Sequence, residues 1–246
     1  MGKPAVTFEV LEKEWIWAAI FIGFTFIVTF ILLASTVQKF GVVLASIFQK
    51  MSFIAPTILA ILVYGETGST IKIIGVLLAI ASIFVMSLNK KDISKIEAKS
   101  INKWIWIFPI GTFIVSCFVD SALFYVNHTG LASSLDIDFI ATLFFFAGSF
   151  GFLFVLFDYF KNGTTYRWKD VIAGFALGIP NFFSIYFLLK VLSNGMGGSV
   201  VFPINNVGIL LVTAVLGLFF FHEKFNTQKL IGFSMAVFSI ILVANG

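Results

Sequence analysis

Residues 41–75 read GVVLASIFQKMSFIAPTILAILVYGETGSTIKIIG, and residues 198–232 read GSVVFPINNVGILLVTAVLGLFFFHEKFNTQKLIG. Each opens on a glycine, continues through about 20 mostly apolar residues, turns at a glutamate and starts a second apolar run. At 1.5 Å rise per helical residue, a run of that length crosses a hydrocarbon core of about 30 Å. Both stretches therefore read as consecutive membrane-spanning helices.

Working outward, the same rule gives eight spans, at approximately 15–37, 41–64, 71–88, 104–125, 139–157, 168–191, 198–221 and 229–244. The connections are short and leave no room for a soluble domain. Composition excludes a water-soluble fold. The chain is 59% hydrophobic and 11% charged with a mean hydropathy of +1.05, whereas soluble domains average about 45–50% and about 25%. The apolar mass, including 33 Phe, lies in long runs and not in alternating ones, which predicts an all-α membrane protein and argues against a barrel. All five Trp (Trp15, Trp17, Trp104, Trp106 and Trp168) fall at span starts, where an indole keeps its N–H wet at the membrane interface.

The formal net charge of +4 does not point to nucleic acid, because the basic residues sit beside span ends and form no single patch. Lys90, Lys91, Lys95, Lys99 and Lys103 share one connection, Lys161, Arg167 and Lys169 another, and Lys224 and Lys229 a third, all on one face of an eight-span chain. The positive-inside rule makes that face cytoplasmic and both termini external. The chain is expected to be a multi-pass protein of the plasma (inner) membrane, its first span retained because no cleavage pattern follows it. Cys117 is the single cysteine and cannot form an intrachain disulfide.

The two quoted stretches are copies of one unit. A shift of 157 residues (223 − 66 = 157) brings Glu66 onto Glu223, Gly75 onto Gly232, Thr70 onto Thr227, Lys72 onto Lys229 and Gly41 onto Gly198 without a gap. The same register pairs Phe26 with Phe183, Phe30 with Phe187, Leu32 with Leu189, Ile47 with Ile204, Ala79 with Ala236 and Ser82 with Ser239. Shared apolar bias is the alternative origin of such matches. Spans one to three thus correspond to spans six to eight, and an offset of five spans places the copies in opposite orientations. The unit behind that offset has five helices, of which the first copy here has three. The domains read as an incomplete first repeat at 1–89, a basic connection at 90–103 and a complete second repeat at 104–246.

Three stretches, Gly65-Glu66 followed by Gly75, His222-Glu223 followed by Gly232, and Pro203-Ile204-Asn205-Asn206, resemble the drug/metabolite transporter superfamily in its EamA-like branch. That resemblance implies a bundle of two inverted five-helix repeats of which this chain holds an incomplete version, and it implies export of small solutes. It also implies two helices before Trp15; a fragment, a displaced start or a genuine short form would each account for the difference. The family is described with cytoplasmic termini, opposite to the orientation that the charges give.

Ionisable groups in the hydrocarbon cost several kcal/mol and so mark candidate sites. Lys50, after Gln49 and before Ser52, lies about ten residues into span two, roughly 15 Å deep. It reads either as a docking or titrating group for a solute, or as a structural group that forms a permanent ion pair or a hydrogen bond to exposed backbone. Asp120, in span four, is its available acidic partner, and reads as a proton-coupling carboxylate or as a structural partner to Lys50 or to Ser, Asn or Tyr groups on neighbouring helices. The repeat register maps Gln49 onto Asn206 and Ser46 onto Pro203, placing Asn205 and Asn206 at matching depth in the other copy. Pro203 frees a backbone carbonyl and is expected to loosen its helix there, or simply to kink it. Span six adds Asn181 and Tyr186 beside Pro180. His222-Glu223-Lys224 is no zinc helix because Asn226 stands where a second His would be needed. Asp136 and Asp138 suit a helix amino terminus, and residues 194–198 suit a tight turn.

These readings lead to a secondary carrier for a small metabolite such as an amino acid or amphipathic solute, with a binding set of Gln49, Lys50, Ser52, Asp120, Asn181, Tyr186, Asn205 and Asn206. No metal, cofactor or ATP is expected, no enzymatic constellation is read, and the expected partners are the solute and the lipid bilayer, with the oligomeric state left open. The alternative is a noncatalytic or truncated membrane subunit that needs a partner to close its cavity.

Overall fold

The computed structural model describes residues 12–87, 103–132, 137–163, 167–220 and 227–246. Among them there is no strand, and the chain is all-α. The helices are α1 (Ile16–Phe40), α2 (Val42–Lys50), α3 (Ile54–Leu62), α4 (Thr70–Ser87), α5 (Ile107–His128), α6 (Ile137–Asn162), α7 (Trp168–Ser193), α8 (Gly198–Phe220) and α9 (Thr227–Asn245), with 3-10 turns at Met51–Phe53 and Lys103–Trp106. Among the described residues seven helical segments, Leu44–Leu62 one of them, are long and apolar enough to cross a membrane; α4 is a shorter apolar helix. Each expected span coincides with one of these segments, and the second is divided. The basic stretch 90–102, Asp136 and His222-Glu223-Lys224 lie outside the described residues.

Gly41 alone joins α1 to α2. Its φ of +91° is a conformation that a side chain rarely adopts, which explains a glycine where the chain ends one helix and starts the next.

Two compact units emerge, one of Met1–Val28 with Ala122–Met196 and the other of Thr29–Ser121 with Gly197–Gly246. Each draws on both halves of the sequence. In the first, α1 lies on α6 at Gly23, where an added Cβ would stand 2.9 Å from the Leu143 carbonyl oxygen and 3.0 Å from the Ala147 nitrogen. Edge-on aromatic pairs flank that contact, Trp15 with Phe139 at 5.5 Å and Phe26 with Phe144 at 5.7 Å. Trp15 is therefore a core residue at 3% exposure, its indole packed on a ring and not kept wet, whereas Trp168 is 75% exposed. Asp138 falls in the first turn of α6, and Gly195, at φ +87°, forms the turn between α7 and α8.

In the second unit α4 and α9 pack antiparallel. Gln228, at the start of α9, donates to the Val85 carbonyl near the end of α4 at 3.0 Å, and Gly75, early in α4, meets Val243 near the end of α9. The contact is lined by small residues: Ala79, Ser82, Gly232, Ala236 and Ser239 are buried. Ser82 and Ser239 turn their hydroxyls back to the Ala79 and Ala236 carbonyls. Small side chains permit this close approach in lipid, where no hydrophobic force drives helices together.

Candidate functional site

The break in span two falls on the residues that carry its polarity. Pro56 has no N–H, so the Ser52 carbonyl, four residues earlier, lacks its helical donor. The chain answers with the 3-10 turn Met51–Phe53 directly after Lys50, and a 3-10 stretch inside a helix is a common mark of a hinge or site. Pro203, by contrast, lies within an unbroken α8, and Pro180 within an unbroken α7. The loosening expected at Pro203 is thus not found there; the helix break lies in span two, just before Pro56.

Ser52 is buried and donates to Asp120 Oδ2 at 2.5 Å. Lys50 lies within electrostatic reach of Asp120 but makes no ion-pair contact; among the described residues only Arg167 and Asp170 are paired, at 3.9 Å. The Lys50 ammonium has no hydrogen-bond partner among the described residues, so the permanent ion pair read as its alternative role is absent there. The 3-10 turn and α3 pack against α8. On α8, Asn206 is buried and spends one amide proton on the Phe202 carbonyl of its own helix at 3.1 Å. Asn205 instead lines an open groove of about 360 Å³ with Ile204, Gly208, Ile209 and Val212. Positions 205, 208, 209 and 212 form one helical face. Gln49 is partly buried at the end of α2.

Asn181 and Tyr186 belong to the other unit. Asn181 is partly buried, and Tyr186 carries the Lys190 ammonium 5.7 Å from its ring centroid. The described geometry thus joins Ser52 to Asp120, sets Lys50 beside them and holds Asn205 and Asn206 on the helix behind the turn.

Two features escaped the sequence reading. On α5, Thr112, Ser116 and Asp120 recur every fourth residue and form a polar stripe about 12 Å long. Thr112 is buried against Thr36 of α1, Oγ1 to Oγ1 at 3.1 Å. Ser116 is buried at 5% exposure, and its hydroxyl has no hydrogen-bond partner among the described residues. The four-residue spacing in an apolar helix was the available signal.

The second feature is the role of Glu66. Its carboxylate accepts from the Gly198 and Ser199 amides at 2.7 and 3.0 Å and from Ser199 Oγ at 2.5 Å. The first amides of α8 have no intrahelical partners, and the helix dipole favours an anion there, so a residue from the α3–α4 turn caps a helix far along the chain. Gly197 makes room: a Cβ there would stand 2.5 Å from Glu66 Oε2. Glu66→Ala should lower stability by about 1–3 kcal/mol, because two charge-assisted bonds to helix amides are lost. Glu66→Gln, which keeps one acceptor oxygen, should lose less; thermal unfolding in detergent measures both.

No protein-family profile matches the chain. A protein of Haemophilus influenzae, named only as uncharacterized, is 28% identical over 215 residues, a match that takes in 86% of this chain and 69% of that protein.

Proposed function

We propose that the chain is a secondary carrier for a small metabolite, with its solute site at the broken span two around Gln49, Lys50, Ser52 and Asp120 and along the Asn205 face of α8. The observation that carries this reading is an unpaired ammonium at a helix break inside an apolar span, beside a carboxylate held by Ser52. Charges at that depth are costly unless they serve a cavity or a partner, and broken helices at mid-depth expose backbone groups where carriers hold solutes.

The inverted-repeat reading supports the same site. The mates α4 and α9 begin at Thr70 and Thr227, 157 residues apart (227 − 70 = 157), and pack antiparallel, as units of opposite orientation should. In that reading membership of the EamA-like transporters, export, and placement in the plasma membrane go together.

The test is uptake and efflux of a labelled panel of amino acids and metabolites in proteoliposomes. Wild type should move at least one solute. Lys50→Ala and Asn205→Ala, with folding retained, should lose about ten-fold or more of that flux, as expected when a polar contact to solute is left unmade. Flux unaltered in both variants would remove the site.

A second reading, that the chain works as a subunit with a helical partner, is favoured by α7. Gly174 and Gly178 lie one helical turn apart, and a Cβ added at either would meet no neighbouring atom within 4 Å among the described residues, although such spacing suits close helix packing. The repeat mate of α7, α1, is seated on α6 through Gly23. Flux that appears only on co-expression with a two-helix segment would select this reading.

A further inference from the structure

Resting on the carrier reading, we infer that the site takes up one proton with each organic monocarboxylate it binds, the anion docking on Lys50 and the proton reaching Asp120 along the Thr112–Ser116 stripe of α5. With Lys50 charged and Asp120 ionised, the vacant cluster is neutral. A bound monoanion leaves it with one net negative charge in a medium where uncompensated charge is severely penalised. A proton on Asp120 restores neutrality. The geometry allows it, because Ser52 occupies Oδ2 and leaves Oδ1 to carry the proton.

The stripe supplies the route. Residues four apart on a helix have Cβ atoms about 5–6 Å from each other, a gap that one bridging water spans. Ser116 stands one turn from Asp120, buried and without a partner among the described residues, and the joined pair Thr36 and Thr112 continues the line toward the Trp106 end of α5. An unpaired buried hydroxyl is a cost that a purely structural stripe would avoid; one that alternately donates and accepts for a transient water has use for both lone pairs and proton. The groups that act on Asp120 among the described residues are Lys50 from α2 and the Ser52 hydroxyl from the 3-10 turn; the Cys117 thiol of α5 itself feels the Asp120 charge.

Purified full chain in nanodiscs is titrated with matched carboxylate and carboxamide probes (propionate and propionamide, benzoate and benzamide) and with leucine as the zwitterion. Heats are read in buffers of different ionisation enthalpy. The expected result is binding by a carboxylate and not by its amide, with about one proton taken up per anion, since one charge must be compensated. Lys50→Met should weaken that binding about ten-fold or more. Asp120→Asn at saturating ligand should take up no proton, and Ser116→Ala should slow the uptake in stopped flow without changing its amount.

Equal binding of the amide, binding of a carboxylate with no proton uptake, uptake that persists in Asp120→Asn, or no binding by any probe overturns the inference, and leucine, which brings no net charge, should bind without uptake if it binds at all. Binding with proton uptake but no flux in liposomes would instead sink the carrier reading alone. Flux of an uncharged solute with no proton uptake would sink this inference alone.

Discussion

Asp120→Asn should destabilise the protein by about 3 kcal/mol, because it leaves Lys50 inside the membrane with no compensating charge. Lys50→Met should cost less, since Asp120 keeps its bond from Ser52 and can neutralise itself by taking a proton. The double variant Lys50→Met/Asp120→Asn should recover about 1–3 kcal/mol relative to the sum of the two, the coupling expected for charges that interact. Reversible unfolding in mixed detergent measures all three. The same double variant separates structure from function: if the cluster exists to bind solute, the double variant is stable and inactive. Additive effects with no recovery would mean that Lys50 and Asp120 do not act on each other.

Pro56→Ala should abolish most flux while leaving stability unchanged or raised. Alanine restores the N–H that the Ser52 carbonyl lacks and removes the reason for the 3-10 turn at Met51–Phe53. Three residues relaxing from three per turn to 3.6 per turn rotate α2 by about 60° relative to α3. Lys50 would then swing away from the face on which α3 packs against α8, and Ser52 away from Asp120. We expect flux about ten-fold lower or worse, on the ground that a small displacement of a binding group costs heavily. Unaltered flux in Pro56→Ala would show that the break is not part of the site.

Helix positions were legible because each rests on a run of about 20 apolar residues, a signal that survives any detail of packing. The start of α8 at Gly198 and the start of α7 at Trp168 were read to the residue. The division of span two was not, because hydropathy averages over a window and passes through a three-residue 3-10 turn without registering it. Pro203 stands beside two amides and Pro56 among mostly apolar residues, yet the break lies just before Pro56. The pairing of Asp120 with Ser52 needed the crossing of α5 and span two, which no local pattern encodes; the sequence singled out the polar residues but not which of them meet. Glu66 was conspicuous as part of a repeated turn, yet its work, capping α8, joins positions 132 residues apart. Trp15 misled because the rule that places Trp at interfaces describes where indoles gather and not which of them find a ring such as Phe139.

The central claim, that the break in span two and the Asn205 face of α8 form a solute site open in turn to each side of the membrane, is most directly tested by thiol accessibility. Cys117 is the only native cysteine, so Asn205→Cys in a Cys117→Ala background places one reporter in the groove. Sealed vesicles are treated with a membrane-impermeant thiol reagent from one side or the other. The account predicts labelling from either side, with no passage of the reagent through the protein. Labelling from neither side, or from one side only, would make the polar cluster a closed structural feature and contradict it.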